Sequence, residues 1–325
     1  MTARAPTGSR NPAIDVAKGI AMVAVVISHV MRGARSDGLI ADSEAYNLVD
    51  TLLYLFHVQL FLIISGYLGW PRANRSDVQR NRQLSLSYSY VLWSALSLAA
   101  LTATHHPLPA DDLSRSVAML FYAPIQHFWF LPVIMIGYAL LYFLRTPLQL
   151  AIAITVCATF RLFAGFSYYA LDYYLLFFLV GAWLRARPLL ERYPVALTTA
   201  ATAIFLAGTL LCVRAELRPP TVPASVPISL AACYAIYRAA APVAGIYRIG
   251  NAFAEIGRQS LPIFLSHVFF TAGIREAMTH ILGPDQAGPI MFASLVAGLL
   301  GPLLSLRIAH RLGIERLAGF EPLLR

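Results

Sequence analysis

Two ionisable residues, Lys18 and His29, lie eleven residues apart in the first apolar segment of the chain, DVAKGIAMVAVVISHV. At about 100° per residue, this spacing points both side chains in nearly the same direction on a helix. It also separates them by roughly 16 Å along the axis, about half the hydrocarbon thickness of a membrane. Because an ionisable residue inside a membrane span is costly, the pair indicates a functional site suited to chemistry that crosses a bilayer. The alternative for Lys18, the only lysine in the chain, is that it snorkels to the interface.

Further histidines occupy the predicted spans. From their positions along those spans, His29, His57 and His127 are predicted in the outer half of the membrane, and His267 in the inner half or near the middle. A neutral histidine tolerates a low dielectric and titrates near neutrality, which makes it the usual general base. We therefore expect the outer-half histidines to share a polar cavity. The alternative for any one of them is a hydrogen bond between helices.

Arginines offer two more candidate sites. Arg75, Arg80 and Arg82 follow the second span, where a planar guanidinium group would suit the phosphate oxygens of a donor. The alternative is that they set the topology and contact anionic lipids. Arg161 and Asp172 flank the short turn between the fifth and sixth spans. They are either a structural ion pair or a substrate-binding pair.

The elements that hold these residues must cross a membrane. The chain has 325 residues, of which 58% are apolar and 13% charged, with a mean hydropathy of +0.64, whereas a soluble domain carries about 25% charged residues. We expect an all-α, polytopic bundle of about ten transmembrane helices. No cleavable signal peptide is expected, and the three cysteines, having no paired spacing, are predicted to be packing residues and not metal ligands. The predicted spans are 12–31, 50–69, 85–104, 117–143, 148–164, 168–184, 194–213, 224–241, 260–281 and 288–306.

Two of these spans are irregular. The fourth is too long for one crossing and is expected to begin near Gln126, with 117–125 at the interface. The eighth is interrupted by Pro223 and Pro227.

The basic residues give the orientation. With the N-terminus inside, eighteen of the 25 fall on the cytoplasmic side, six fall outside and Arg161 lies within a span. This bias predicts that both termini are cytoplasmic. We expect a cytoplasmic tail at 1–11, a membrane domain at 12–306 and a second cytoplasmic tail at 307–325. Orientation also explains the pI near 9.7, so no nucleic-acid partner is expected.

Four stretches resemble a known family. They are IDVAKGIAMVAVVISH, with a basic residue followed by His29; FHVQLFLIISGYL at 56–68; HFWFLPVIM from His127; and GRQSLPIFLSH, which ends in His267. In this order, and with about ten spans, they resemble the membrane-bound acyltransferase 3 family, especially the branch of fucose-4-O-acetylase-like O-acetyltransferases. Lysine at position 18, in place of arginine, is similar to that branch.

The resemblance implies transfer of an acyl group, usually acetyl, from cytoplasmic acyl-CoA to a hydroxyl of an extracytoplasmic or lipid-linked sugar. It implies that His29 and Lys18 are essential and that the arginines after the second span approach the donor. We expect His29 to be the general base. Lys18 is expected on the CoA side or paired with Asp15, and His127 or His267 as an oxyanion stabiliser.

Two positions depart from the family pattern. Gln59 replaces the usual proline before the Phe-rich run and, with His57, is expected to influence acceptor binding. Ser87-Tyr88 replaces the usual Pro-Tyr after the loop arginines.

The partners expected are acyl-CoA (acetyl-CoA as donor, with no metal), a glycan or lipid-linked sugar, and the lipids of a bacterial cytoplasmic (inner) membrane. Three alternatives stay open. The same fold could acylate a small hydrophobic metabolite such as a macrolide. A proton-coupled glycan or lipid transporter also uses intramembrane histidines, although its usual internal repeat is not visible here. The third alternative is a non-catalytic scaffold, although such a protein would have no need of the intramembrane histidines.

Overall fold

A computed structural model describes residues 11–72, 75–104, 108, 110, 112–120, 124–163, 170–187, 194–219 and 222–323. Within these ranges the chain forms thirteen α-helices and two short 3₁₀-helices, with no strand. The predicted all-α, polytopic bundle is therefore confirmed. Nearly all of the predicted N-terminal tail and most of the predicted turn between the fifth and sixth spans lie outside the described residues.

The helices are bounded as follows: α1 Pro12–Ser36, α2 Glu44–Tyr54, α3 His57–Gly69, a 3₁₀-helix Trp70–Arg72, α4 Ser76–Ala103, α5 Leu113–Met119, a 3₁₀-helix Gln126–Trp129, α6 Phe130–Phe143, α7 Pro147–Phe163, α8 Leu171–Ala186, α9 Val195–Arg214, α10 Ser225–Ala244, α11 Tyr247–Arg258, α12 Ser260–Leu282 and α13 Ala287–Leu312.

Each of the ten predicted spans coincides with apolar helical structure. Seven stretches in the described residues are long and apolar enough to cross a membrane: α1, α2 together with α3, α4, Gln126–Phe143, α9, α10 and α13. The other three predicted spans coincide with α7, α8 and α12. The fourth span begins at Gln126, as predicted. Pro227 lies in the first turn of α10, where a proline removes no intrahelical hydrogen bond.

Helix α1 is the centre of the bundle and packs against α2, α3, α10, α11, α12 and α13. Its inward face consists largely of small and β-branched residues, among them Val16, Ala17, Ala21 and Val26, none of which is accessible to solvent. Small side chains allow helix backbones to approach closely, and in lipid this dense packing drives helix association. The helix that carries Lys18 and His29 is thus held on most sides.

Helices α1 and α11 approach each other closely at two glycines. A Cβ atom added at Gly257 would lie 1.8 Å from the carbonyl oxygen of Asp15, and one added at Gly19 would lie 1.9 Å from that of Phe253. Neither position can carry a side chain without moving a backbone. These two glycines therefore fix α11 against the first half of α1, and α12 begins directly after it.

The C-terminal region departs from the expected tail. The predicted boundary at residue 306 falls inside α13, which continues to Leu312, and the segment 314–323 folds back onto α4. Trp93 donates a hydrogen bond to the Ala318 carbonyl (2.9 Å) and stacks on Phe320, with the ring centroids 5.6 Å apart. The Ser89 hydroxyl donates to the Gly319 carbonyl (3.0 Å). This segment is consequently part of the folded membrane domain.

Candidate active site

One cavity of about 740 Å³ runs through the middle of the bundle. Both Lys18 and Arg32 line it. Because these residues are fourteen positions apart on α1, the cavity extends roughly 21 Å along that helix. His29, His57 and His127, which were predicted to share a cavity, all line this one. Its walls come from α1, the end of α2, α3, α4, the 3₁₀-helix before α6, α6, α12 and the folded-back segment 314–323.

Three histidines from separate helices meet at the wall of the cavity, which His29 and His127 line. The ring centroid of His29 lies 4.9 Å from that of His267 and 5.5 Å from that of His127, and those two lie 5.0 Å apart. We call these three residues the histidine triangle. His29 is partly accessible, whereas His127 is 6% exposed and His267 is fully buried. Of the three rings, His29 is therefore the one most open to a substrate.

The triangle fixes the level of His267 relative to His29. His267 was predicted in the inner half of the membrane or near its middle, and His29 in the outer half. The two rings lie side by side, so they share one level of the bundle.

Hydrogen bonds to backbone carbonyls fix the tautomers of the two buried rings. Nε2 of His127 is 3.0 Å from the Phe264 carbonyl oxygen, and Nδ1 of His267 is 2.9 Å from those of Ile263 and Phe264. A carbonyl only accepts, so each of these nitrogens carries its proton. The remaining nitrogens, Nδ1 of His127 and Nε2 of His267, are buried with no partner among the described residues. As neutral rings, both therefore offer only a lone pair.

A left-handed residue precedes His127. Gln126, which is not glycine, has φ 50°, a region that L-residues seldom occupy and that is found preferentially at functional sites. The turn starts the 3₁₀-helix whose first residues line the cavity. Gln126 accepts a hydrogen bond from the Ser97 hydroxyl (3.3 Å).

The end of the cavity at Lys18, which we call the inner end, contains only one of the three arginines predicted to meet the donor. Arg82 lines the cavity, its guanidinium lies 4.0 Å from the centroid of the Tyr138 ring, and its Nη1 is buried with no hydrogen bond to any described residue. Arg75 is exposed and pairs with Asp77 at 2.9 Å. Arg80 is exposed and faces a separate groove between α4 and α6. The structure thus separates Arg82 from the other two.

The opposite end of the cavity, at Arg32, is called the outer end. An ion pair that the sequence analysis did not predict lies there. Arg32 donates two hydrogen bonds to Asp50, at 2.8 and 2.9 Å, and its guanidinium lies 4.5 Å from the centroid of Tyr54. Ser28 also donates to Asp50, at 3.4 Å. The adjacent serine therefore points away from His29, as its position on the helix predicts. The sequence did contain one signal that could have identified Arg32 as a site residue. It follows His29 by three residues and therefore shares its helix face.

The predicted substrate-binding residues are divided between the cavity and other parts of the bundle. His57 lines the cavity and donates from Nδ1 to the Leu53 carbonyl at 2.5 Å. Gln59 is fully buried away from the cavity and donates to the Tyr54 carbonyl (2.9 Å) and the Tyr173 hydroxyl (3.1 Å). It therefore joins α3 to α8.

Arg161 and Asp172 form a buried ion pair between α7 and α8. The Nη1 of Arg161 lies 3.6 Å from a carboxylate oxygen of Asp172, and the side chains are 2% and 8% exposed. Neither residue lines the central cavity. This geometry matches the structural alternative for the pair.

Two comparisons with known proteins give matches. The acyltransferase domain family Acyl_transf_3 matches residues 11–306, nearly the whole chain. The nodulation protein NolL of Mesorhizobium japonicum is 27% identical over 151 residues, which are 46% of this chain and 39% of that protein. The chain thus covers well under half of this relative. No solved structure matches the chain.

Proposed function

The chain belongs to the acyltransferase 3 family, and from this premise we propose that it transfers an acetyl group from acetyl-CoA to a hydroxyl group of a glycan or lipid-linked sugar. It is an integral membrane acyltransferase. The further steps of the proposal are that the membrane is the cytoplasmic membrane of a bacterium, that both termini face the cytoplasm, and that His29 is the general base.

The observation that carries the proposal is the histidine triangle. The neutral rings of His127 and His267 each offer an unpartnered lone pair beside His29. In the proposed reactive complex one of them accepts the N–H of His29, which leaves the other nitrogen of His29 unprotonated. That nitrogen takes the proton of the acceptor hydroxyl as the oxygen attacks the thioester carbonyl carbon. The C–S bond then breaks, and the departing CoA thiolate takes up a proton from the His29 imidazolium.

This tautomer assignment changes the role expected for the two buried histidines. A ring whose only N–H is bound to a carbonyl has no proton to donate to an oxyanion. We therefore assign His127 and His267 to orienting His29 and to accepting a hydrogen bond from its protonated form, not to oxyanion stabilisation.

The inner end of the cavity suits the donor. The unpartnered Nη1 of Arg82 can donate a charge-assisted hydrogen bond to a phosphate or carbonyl oxygen of CoA. Lys18 adds a positive charge within the same cavity, and the length of the cavity allows the pantetheine arm to carry the thioester toward His29. Arg75 and Arg80, farther out, would contribute only long-range attraction.

The test is CoA-thiol release by the purified protein in nanodiscs, with and without a cell-envelope glycan extract. We expect His29→Ala to lower glycan-dependent release by about 10²–10⁴-fold, the typical contribution of a general base. The matched control is His280→Ala, because His280 is exposed on α12 and lines neither end of the cavity. Full activity of His29→Ala would refute the mechanism. Proton-coupled glycan translocation without acyl transfer would instead support the transporter alternative.

A further inference from the structure

A second cavity, of about 670 Å³, lies beyond the outer end of the active-site cavity. Its walls are the last turns of α1, the length of α2 and the residues 217–219 that follow α9. The volume falls within the roughly 300–1,000 Å³ of typical ligand sites. We call this space the outer chamber.

The outer chamber adjoins the active-site cavity at two side chains. Arg32 and Tyr54 line both spaces, and Asp50 holds Arg32 in place through the two hydrogen bonds described above. Arg32 follows His29 by three residues on α1, which puts their Cβ atoms about 5–6 Å apart. A molecule in the outer chamber is thus one side chain away from the proposed base.

The lining of the outer chamber is hydrophilic. Nine of its eleven residues carry polar or charged side chains, the exceptions being Leu217 and Pro219. The exposed Asn47 and the partly exposed Asp50 and Thr51 come from α2. An apolar occupant would leave such groups without partners, at a cost of about 1–3 kcal/mol for each group that becomes buried. A molecule with many hydroxyl groups would satisfy both the donors and the acceptors.

We propose that the outer chamber is the acceptor subsite and that its occupant is a saccharide, not an apolar metabolite such as a macrolide. This inference rests on the proposed acyl transfer and adds where the acceptor binds. The acceptor presents one hydroxyl past Arg32 and Tyr54 to His29, while Asn47 and Thr51 bind other hydroxyls. These two residues therefore determine acceptor affinity.

Two substitutions test the subsite, Asn47→Leu and Thr51→Val, which remove hydrogen-bonding groups at nearly constant size. With oligosaccharides from a cell-envelope extract as acceptor, we expect each to raise the acceptor KM about tenfold, the effect of losing one or two hydrogen bonds. The matched control is Asn251→Leu, because Asn251 is exposed on α11 and lines neither cavity. An acceptor KM within twofold of wild type in both variants would overturn the subsite.

A binding measurement supports the same test without relying on turnover. In the Asn47→Cys variant, saturating oligosaccharide should slow the reaction of the new thiol with a maleimide at least fivefold, and unchanged labelling would count against the subsite. If a macrolide aglycone is acylated and oligosaccharides are not, the saccharide class is wrong. If the wild type releases no CoA with either acceptor, the proposed function itself fails, which is distinct from failure of the subsite.

Discussion

Replacing His267 is the sharpest test of how the histidine triangle operates. In His267→Leu the lone pair of Nε2 is lost, and with it the hydrogen bond that we assign to the N–H of His29. A hydrogen bond to a charged group contributes about 1.5–3 kcal/mol, and the base becomes charged in the transition state. At about 1.4 kcal/mol per tenfold, kcat should fall by roughly 10- to 150-fold. The KM for acetyl-CoA should change little, because we propose that the donor binds at the other end of the cavity.

The matched variant is His267→Gln, whose side-chain oxygen can still accept a hydrogen bond from His29. We expect it to recover much of the lost kcat, whereas a purely structural role would leave the two variants equally impaired. The assay is CoA-thiol release at saturating acetyl-CoA and acceptor, with thermal unfolding to compare the stability of the variants.

A double substitution makes the reasoning refutable. If His267 acts only through His29, then His29→Ala combined with His267→Leu should be no slower than His29→Ala alone, since residues that act as a unit are not additive. Two independent effects that multiply would refute the assignment. A kcat of His267→Leu within threefold of wild type would refute it as well.

Two further predictions concern the donor end and the packing of α1. Arg82→Ala should raise the KM for acetyl-CoA by about 10- to 100-fold through loss of a charge-assisted hydrogen bond. The control Arg80→Ala should change this KM less than twofold. Equal effects of the two variants in steady-state kinetics would mean that Arg82 is not the specific donor contact. Gly257→Ala should sharply reduce the yield of monodisperse protein in size-exclusion chromatography, because its Cβ would lie 1.8 Å from the Asp15 carbonyl oxygen. Gly273→Ala, where nothing lies within 4 Å, should behave as wild type, and similar behaviour of the two alanine variants would contradict the packing argument.

Local sequence signals predicted the class of the protein and much of its helical layout. Apolar length gave the spans, and the rarity of ionisable residues in lipid singled out Lys18, His29 and His127. The irregular fourth span began at Gln126, as its excessive length implied. These predictions succeeded because each depends on the solvation of a segment or a side chain, and solvation by lipid is read from the residues themselves.

The direction in which each polar side chain points was harder to predict from sequence. Gln59 and Arg82 occur in short stretches next to other candidates, yet one is directed into the α3–α8 contact and the other into the cavity. Arg75 and Arg80, the neighbours of Arg82, point away from the cavity. Which side of a helix meets the cavity depends on helix tilt and on the partner that packs there, and a uniformly apolar helix gives little indication of either.

The sequence by itself determined that this chain is a polytopic, all-helical membrane protein that resembles the acyltransferase 3 family, with His29 as the candidate base. Apolar composition, span length and motif order are read directly along the chain. Only the tertiary structure brought His267 beside His29, paired Arg32 with Asp50, and folded the segment 314–323 onto α4 as a wall of the cavity. These contacts join residues up to about 240 positions apart in the chain. They depend on how separate helices and the segment 314–323 pack together, and no local pattern encodes that packing.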